Sequence, residues 1–505
     1  MADSSFDASD WFAPRHIGPS ADEREAMLEA IGVPSLDALI DEAIPASIRL
    51  PHPLKLPPPE SEHQYLRRLT QVARHNKTFR SYIGLGYHDT ITPSVILRMV
   101  LENPGWYTPY TPYQAEIAQG RLESLLNFQT MVVDLTGMEV ANASLLDEAT
   151  AAAEAMTLLH RVRMNTPQNA VRPIAVREGE PERSVFLVSD GCLPQTIDVL
   201  RTRAEPLDID VQVGPADSMT FDAGGTMPFG VLLQYPDAVG LVQDLRPFIS
   251  RAHEAGVLVA VGADLLALAL LISPGEMGAD VVFGNSQRFG VPLGYGGPHA
   301  AFFATRQAFV RQMPGRIIGV SIDAHGRTAY RMALATREQH IRRERATSNI
   351  CTAQALLANI AAMYAVYHGP AGLQTIARRI HTLARLLERE LCKLGLRQRN
   401  PHYFETLQVE LPIDAEAVRR YALEAGINFR YLDDRTVGIA LNEAVDTTDV
   451  RDIVTVFAAA LGQPAPDIDF DATPETVAVA GSLPPSREAS ADRRDGPQER
   501  TVQPV

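Results

Sequence analysis

Lysine is almost missing from this 505-residue sequence: of its 46 lysine and arginine residues, only Lys55, Lys77 and Lys393 are lysines. Cysteine is as scarce. Cys192, Cys351 and Cys392 lie far apart, are odd in number and form no CxxC pair. That excludes a disulfide framework and suits a reducing compartment. Basic charge is short as well, and a net charge of −15 excludes the basic face that non-specific nucleic-acid binding needs. The longest apolar run, Leu265 to Ile272, falls far below the roughly 20 residues of a membrane helix. The N-terminal Met1-Ala2-Asp3-Ser4-Ser5-Phe6-Asp7 is acidic and lacks the apolar centre of a secretory signal and the arginines of a transit peptide. On these absences the chain is expected in the cytoplasm, away from membranes. What remains is ordinary globular composition, 46% apolar and 21% charged, with length enough for two or three domains.

Widespread catalytic signatures are absent too. There is no HExxH, no Walker A loop and no GxSxG elbow, and Gly84-Leu85-Gly86 lacks the third glycine of a dinucleotide fingerprint. The histidines, among them His160, His253, His299, His325, His340 and His368, show no ligand spacing, so no metal site is expected.

Along the chain, residues 1–80 read as an N-terminal arm. It carries short helical patterns such as Asp22 to Leu28 and the proline-rich Pro51 to Pro59, which cannot be helical. Residues 81–370 read as a large α/β domain. Helices are expected over Leu122 to Thr136, Leu145 to Met164, Gln195 to Arg203 and Val242 to Ala255. Between them lie the apolar runs Val185 to Val188, Gly230 to Leu233, Val257 to Val261 and Val281 to Phe283. Continuous apolar strands separated by helices predict a mostly parallel sheet covered on both faces. His299 to Ala304 reads as one more strand, antiparallel after a tight glycine turn. Helices over Thr352 to Tyr367 and Leu373 to Leu394 follow, with Gly395 as a stop. Residues 371–473 close as a smaller α+β domain. Its expected elements are an alternating strand over Phe404 to Leu411, a helix over Ala415 to Glu424, a hairpin over Ile427 to Leu441 and a last helix over Asp449 to Leu461. Residues 474–505, rich in Pro, Ser, Ala and mixed charge, read as disordered.

Three segments stand out. Trp106 to Glu116 joins four aromatics and two prolines in a stiff loop, suited either to lining a pocket or to structural packing. Ser144 to Glu154 opens a helix with Ser144 as a possible cap and Asp147 and Glu148 in its first turn, where acids complement the helix dipole. The third, Val261 to Pro298, contains Gly284-Asn285-Ser286-Gln287-Arg288-Phe289-Gly290-Val291-Pro292 and the glycine-rich Gly294 to Pro298. His340 to Arg345 is an interrupted basic run that suits a solvated or interface face.

Over about residues 12 to 465 the chain resembles the N-terminal half of the P-protein family of the glycine cleavage system. The resemblance is carried by Arg15-His16-Ile17-Gly18-Pro19, Ser81 to Tyr87, Glu102 to Tyr107 and Tyr110-Thr111-Pro112-Tyr113-Gln114. It continues through Ser144 to Met156, Gln287 to Pro292, Pro314 to Val320 and Arg342 to Thr352. The resemblance implies the aminotransferase-like pyridoxal phosphate (PLP) fold, type I. It also implies one half of a glycine dehydrogenase (decarboxylating), whose halves are joined in one chain or split into two subunits. In the catalytic half a lysine holds PLP. Matching that half's Asn-Leu-His-Lys-Thr-Phe pattern to this chain places Gln287 at the lysine and Ser286 at the histidine. Its Asp-Gly-Ala-Asn pattern places Val261 at the acid that holds the pyridine nitrogen. A helix start that would cradle the phosphate carries Asp147 and Glu148, which repel a dianion. Glutamine has no nucleophilic amine. The resemblance therefore implies no catalytic and no cofactor-binding residue in this chain, with PLP held by a partner (subunit 2, or a second half).

In the assembled enzyme glycine loses CO2 and its aminomethyl group passes to the lipoyl arm of H-protein, with T- and L-proteins completing the system. The chain alone is expected to be inactive. Tyr110, Thr111, Tyr113, Gln114 and Glu116, with Arg342 and Arg343, are the candidates for lining the partner's pocket across the interface. Two features depart from the family: Leu193 stands where a histidine commonly precedes Pro194, and the tail near residue 505 lies outside the pattern. A reading from another class is a catalytically silent scaffold or regulatory binder of the catalytic half.

Overall fold

The computed structural model describes residues 15–16, 18–52, 54–108, 112–164, 184–221, 227–334, 339–343, 346–347 and 353–470. The expected disordered tail over 474–505 lies outside them. The chain divides into two compact units, Met1–Phe79 and Arg80–Val505.

The first unit holds three helices, Ala21–Ile31, Leu36–Ala43 and Glu62–Ala73. Each starts on a serine whose hydroxyl accepts from a backbone N–H in the first turn: Ser20, Ser35 and Ser61. Glu23 and Gln64 return the bond to the cap's own N–H, so two of the three starts are complete capping boxes. None of these helices has a buried residue.

The second unit opens with strand β1 (Arg80–Tyr82). Its large sheet comprises β2 (Val140–Ala141), β3 (Ser184–Ser189), β4 (Ile209–Gly214), β5 (Gly230–Tyr235), β6 (Leu258–Asp264), β7 (Val281–Asn285) and β8 (Ala301–Thr305). The order is β2-β8-β7-β6-β5-β3-β4. Strands β4, β3, β5, β6 and β7 run parallel, and β8 returns antiparallel beside β7, as its sequence predicts. Both faces are buried because alternate residues feed two apolar clusters. Val259, Val261 and Ala263 of β6 join the cluster that includes helices Gln119–Thr136 and Ala355–Lys393. Ala260 joins the cluster built on helix Glu148–Met164.

The two helices expected near residue 370 meet at Gly369 (φ 63°, ψ 177°) and Pro370, where the helical run breaks. A hairpin of β9 (Ile317–Ile322) and β10 (Thr328–Ala333) stands apart from the large sheet. The smaller sheet adds β11 (Arg397–Gln398), β12 (Thr406–Glu410), β13 (Ile427–Asp433) and β14 (Thr436–Ala440), in the order β1-β13-β14-β12-β11. Strand β1 pairs parallel with β13, so the segment just after the first unit belongs to the sheet built by the C-terminal residues. Helices Ala415–Glu424 and Thr447–Ala460 complete this part.

One local expectation is overturned. Ser144 does not cap the helix after it, because the helix starts later, at Glu148. Asp147 caps it: its Oδ1 accepts from Thr150 N at 2.8 Å, and Thr150 Oγ1 accepts from Asp147 N at 3.3 Å. The acids that the sequence places in a first turn thus include the cap itself.

Candidate functional site

A cavity of about 60 Å³ opens at the C-terminal ends of β5, β6 and β7. Ligands of open parallel sheets bind at that edge, because backbone groups and loop side chains converge there. Gln234, Asp264 and Asn285 come from the strand ends, and Gln287 and Arg288 from the turn after β7. Glu148 comes from a helix start, Leu193 from the residue before helix Pro194–Ala204, His88 from the loop after β1, and Glu405 from the approach to β12. Close approach is built in at Gly240 (φ 89°), where a Cβ would sit 2.4 Å from the Thr406 carbonyl oxygen.

Gln287 is 1% exposed. Its Nε2 donates to the carbonyls of His88 (2.7 Å) and Val291 (2.8 Å), and its Oε1 accepts from His88 N at 3.3 Å. Both amide protons are spent on backbone, so the side chain ties the 84–90 loop to the turn after β7. Ser286 is equally inward, its hydroxyl donating to the Ala300 carbonyl.

The next residue organises the charge. Arg288 Nη1 donates to Asp264 Oδ2 at 2.6 Å and lies 3.3 Å from Glu405 Oε1, and the guanidinium carbon sits 5.4 Å from the Phe404 ring centre. Burial alone would raise Asp264, but the Arg288 charge and the Leu266 N–H outweigh it and hold its carboxyl low. Burial pushes Glu405 up, and Arg288 recovers only part of the shift. Burial pushes Glu148 up to about 7, against a bond from Gln234 Nε2 and with Asp264 adding to the rise. His88 is pushed down to about 3 by burial and by the Arg288 charge, so its ring is neutral. His88, Asp264 and Glu405 each bring a ligand-type atom within 4.8 Å of the others, a grouping that sequence spacing did not reveal.

The structure therefore gathers Gln287, Glu148, Leu193 and Asp264 round one cavity. Val261 is not among its lining residues: it is fully buried in the sheet, paired with Leu233 and Val282. The aromatic loop lies elsewhere. Tyr113 is buried with the Arg316 guanidinium 4.5 Å from its ring centre, while Gln114 and Glu116 are exposed. These three line a separate surface groove of about 710 Å³ against β9 and β10. Arg342 and Arg343 are exposed, at the end of helix Gln339–Arg342 and just past it. Tyr110 and Thr111 lie outside the described residues.

Sequence reasoning missed Arg288, Glu405 and His88 as one cluster. A signal existed for Glu405. Leu407 and Val409 are the inward residues of β12, and period two carried back from them puts this acid on the buried side.

The sequence model of the glycine cleavage system P-protein matches residues 14–457. The chain belongs to the P-protein family. It is 56% identical over 449 residues to the glycine dehydrogenase (decarboxylating) of Nostoc punctiforme, covering 89% of this chain and 44% of that protein. The chain thus spans less than half the length of this curated relative. Among solved structures, it is similar to a glycine decarboxylase (P-protein) of the glycine cleavage system in inhibitor-bound form. That likeness has a TM-score of 0.78 at 33% identity and covers 88% of this chain and 99% of the other. A sphingosine-1-phosphate lyase of Burkholderia pseudomallei shares the fold, with a TM-score of 0.60 at 14% identity over 82% of this chain and 93% of the other. The fold is the aminotransferase-like type I fold of PLP enzymes, with a mostly parallel sheet.

The strand-end site of this P-protein chain does not fit PLP. A cavity of about 60 Å³ is small beside the roughly 300–1,000 Å³ of ordinary cofactor pockets. No amine lines it, and the helix start that faces it presents buried Glu148 rather than free N–H groups and positive charge.

Proposed function

We propose that this chain is the non-lysine-bearing, subunit 1-like half of glycine decarboxylase. The observation that carries the reading is Gln287. At the position where the resemblance implies a lysine, its two amide protons are bound to backbone carbonyls, beside a cavity of about 60 Å³. The share of the relative that the chain matches, 44%, fits one half of a two-half enzyme. In this reading PLP and the chemistry belong to the lysine-bearing partner, subunit 2 or the second half. The assembled enzyme decarboxylates glycine in the cytoplasm and hands the aminomethyl group to lipoylated H-protein, upstream of the T- and L-proteins.

The contribution of this chain is the wall of the partner's site. Exposed Gln114 and Glu116 beside half-buried Pro112, with Tyr110 and Thr111 next to them in sequence, are the contacts offered, and exposed Arg342 and Arg343 supply positive charge for a carboxylate. The β9–β10 hairpin beside them exposes Val320 and Ile322, apolar surface suited to an interface. The test is reconstitution: purified chain added to the lysine-bearing half should produce glycine–bicarbonate exchange. Unchanged or falling exchange would overturn the reading in favour of a silent scaffold.

A further inference from the structure

Two loops at the strand-end edge of the large sheet hold bulky side chains in left-handed backbone. Leu85 (φ 58°) lies in the loop after β1 and lines the cavity there. Tyr295 (φ 61°) lies in the turn that leads from Gln287 to β8. The two loops meet where the Tyr87 and His299 rings lie 4.2 Å apart, centre to centre. A bulky residue in that backbone region is an outlier, and such strain persists only where the surrounding structure over-determines it. Around Tyr295 the constraint is visible. The Gly296 and Gly297 N–H groups both donate to the Leu293 carbonyl, at 2.9 and 3.0 Å, and buried Val291 and Ala300 pin the two ends.

Tyr295 gains nothing from its own chain in return. It is more exposed than any other large apolar residue described. Gly294 (φ 53°) and Gly296 (φ 107°) flank it, so a mostly apolar ring stands in water on a strained stalk. Glycine or asparagine would hold the same turn without the strain. Exposed Tyr87 and Ile83 continue the apolar surface along the neighbouring loop. An aromatic ring placed so has the properties of an interface anchor: large contact area, a polar tip and little side-chain entropy to lose. What it would enter is indicated by what this chain lacks. Only 44% of the curated relative is matched, so more than half of that protein lies in polypeptide that this chain does not contain.

We propose, on the reading of this chain as one half of a two-half enzyme, that Tyr295 is the aromatic anchor of the joint. Its ring enters an apolar pocket of the lysine-bearing half, with Tyr87 and Ile83 as flanking contacts.

Calorimetric titration of the full chain with the lysine-bearing half tests this. Y295N removes the ring and suits the left-handed backbone, while Y295F keeps the ring. Y295N should bind the half about tenfold more weakly or worse, and Y295F within about threefold of wild type. The melting temperature of Y295N alone should be no lower than that of wild type. Y295N that binds as well as wild type would overturn the anchor and leave the subunit reading intact. A wild-type chain that does not bind the half would overturn both. Weaker binding by Y295N together with a lower melting temperature would make the ring a support of the turn, and overturn the proposal. Y295F as weak as Y295N would exclude the apolar pocket. Self-association lost in Y295N, with binding to the half unchanged, would give the ring to a second copy of this chain instead.

Discussion

Arg288 Nη1 lies 2.6 Å from Asp264 Oδ2 in a site where the guanidinium side chain is 6% exposed. The pair joins the turn after β7 to the end of β6, and Glu405, 3.3 Å from the same nitrogen, extends it to the smaller sheet. Removing one partner of such a group strands the others. R288M should therefore destabilise the chain by about 3–5 kcal/mol, because buried carboxylates lose their counter-charge. R288M/D264N should recover much of that loss, since the amide oxygen that replaces the carboxylate can still accept from the Leu266 N–H. Urea denaturation of the two variants checks both, and a double variant no better than R288M would show that the charge pair is not the source.

Glu148 gives the unit a pH-dependent weakness. Its folded value of about 7 lies above the ordinary 4.5. Between those values the folded chain keeps a proton that the unfolded chain releases, so stability falls as pH rises from about 4.5 to 7 and levels off above. At pH 8 the penalty approaches roughly 3 kcal/mol, from about 1.4 kcal/mol for each unit of pKa. E148Q keeps an oxygen for Gln234 and removes the titration. It should be more stable than wild type at pH 8 and no more stable at pH 4. An equal effect at both pH values would contradict a buried, proton-holding carboxyl.

Much of the layout was legible. Apolar β-branched runs between amphipathic segments gave the parallel strands, because a sheet covered on both faces leaves no polar register. The glycine turn before His299 gave the antiparallel return of β8. The position of Gln287 followed from the residues round it, but not its use. Its partner His88 is 199 residues away, and only the fold brings that carbonyl within 2.7 Å. Arg288 was hidden likewise, since an arginine beside a motif reads as surface until acids from two other strand ends close over it. Val261 shows the opposite case. Its place in the pattern suggested a lost site residue, whereas strand alternation puts it in the core.

Gly84 carries the loop that delivers His88. It sits at φ 70°, and a Cβ there would lie 2.6 Å from the Ala440 Cβ on β14. G84A therefore adds a steric clash to the left-handed strain, together about 2–4 kcal/mol. Gly395 has a similar φ of 79°, but nothing lies within 4 Å of the place a Cβ would take. G395A should cost only about 1 kcal/mol. Thermal melts of both variants separate crowding from backbone strain. Equal losses would mean that the β14 contact yields freely.

Restoring a lysine should not restore a cofactor site. Q287K puts an amine where the resemblance implies one, and burial beside Arg288 would favour its neutral, nucleophilic form. The obstacles are elsewhere. The cavity is about 60 Å³, buried Glu148 lines it, and the Arg288, Asp264 and Glu405 group occupies the strand ends. Lysine has no acceptor for the His88 N–H that Gln287 Oε1 now takes, so the 84–90 loop loses a bond and the melting temperature should drop. Incubation with PLP, borohydride reduction and peptide mass spectrometry should find no pyridoxyl group at position 287. A stoichiometric mark there would show that the cavity opens readily, and that one substitution, rather than the whole remodelled pocket, separates this chain from a cofactor-bearing half.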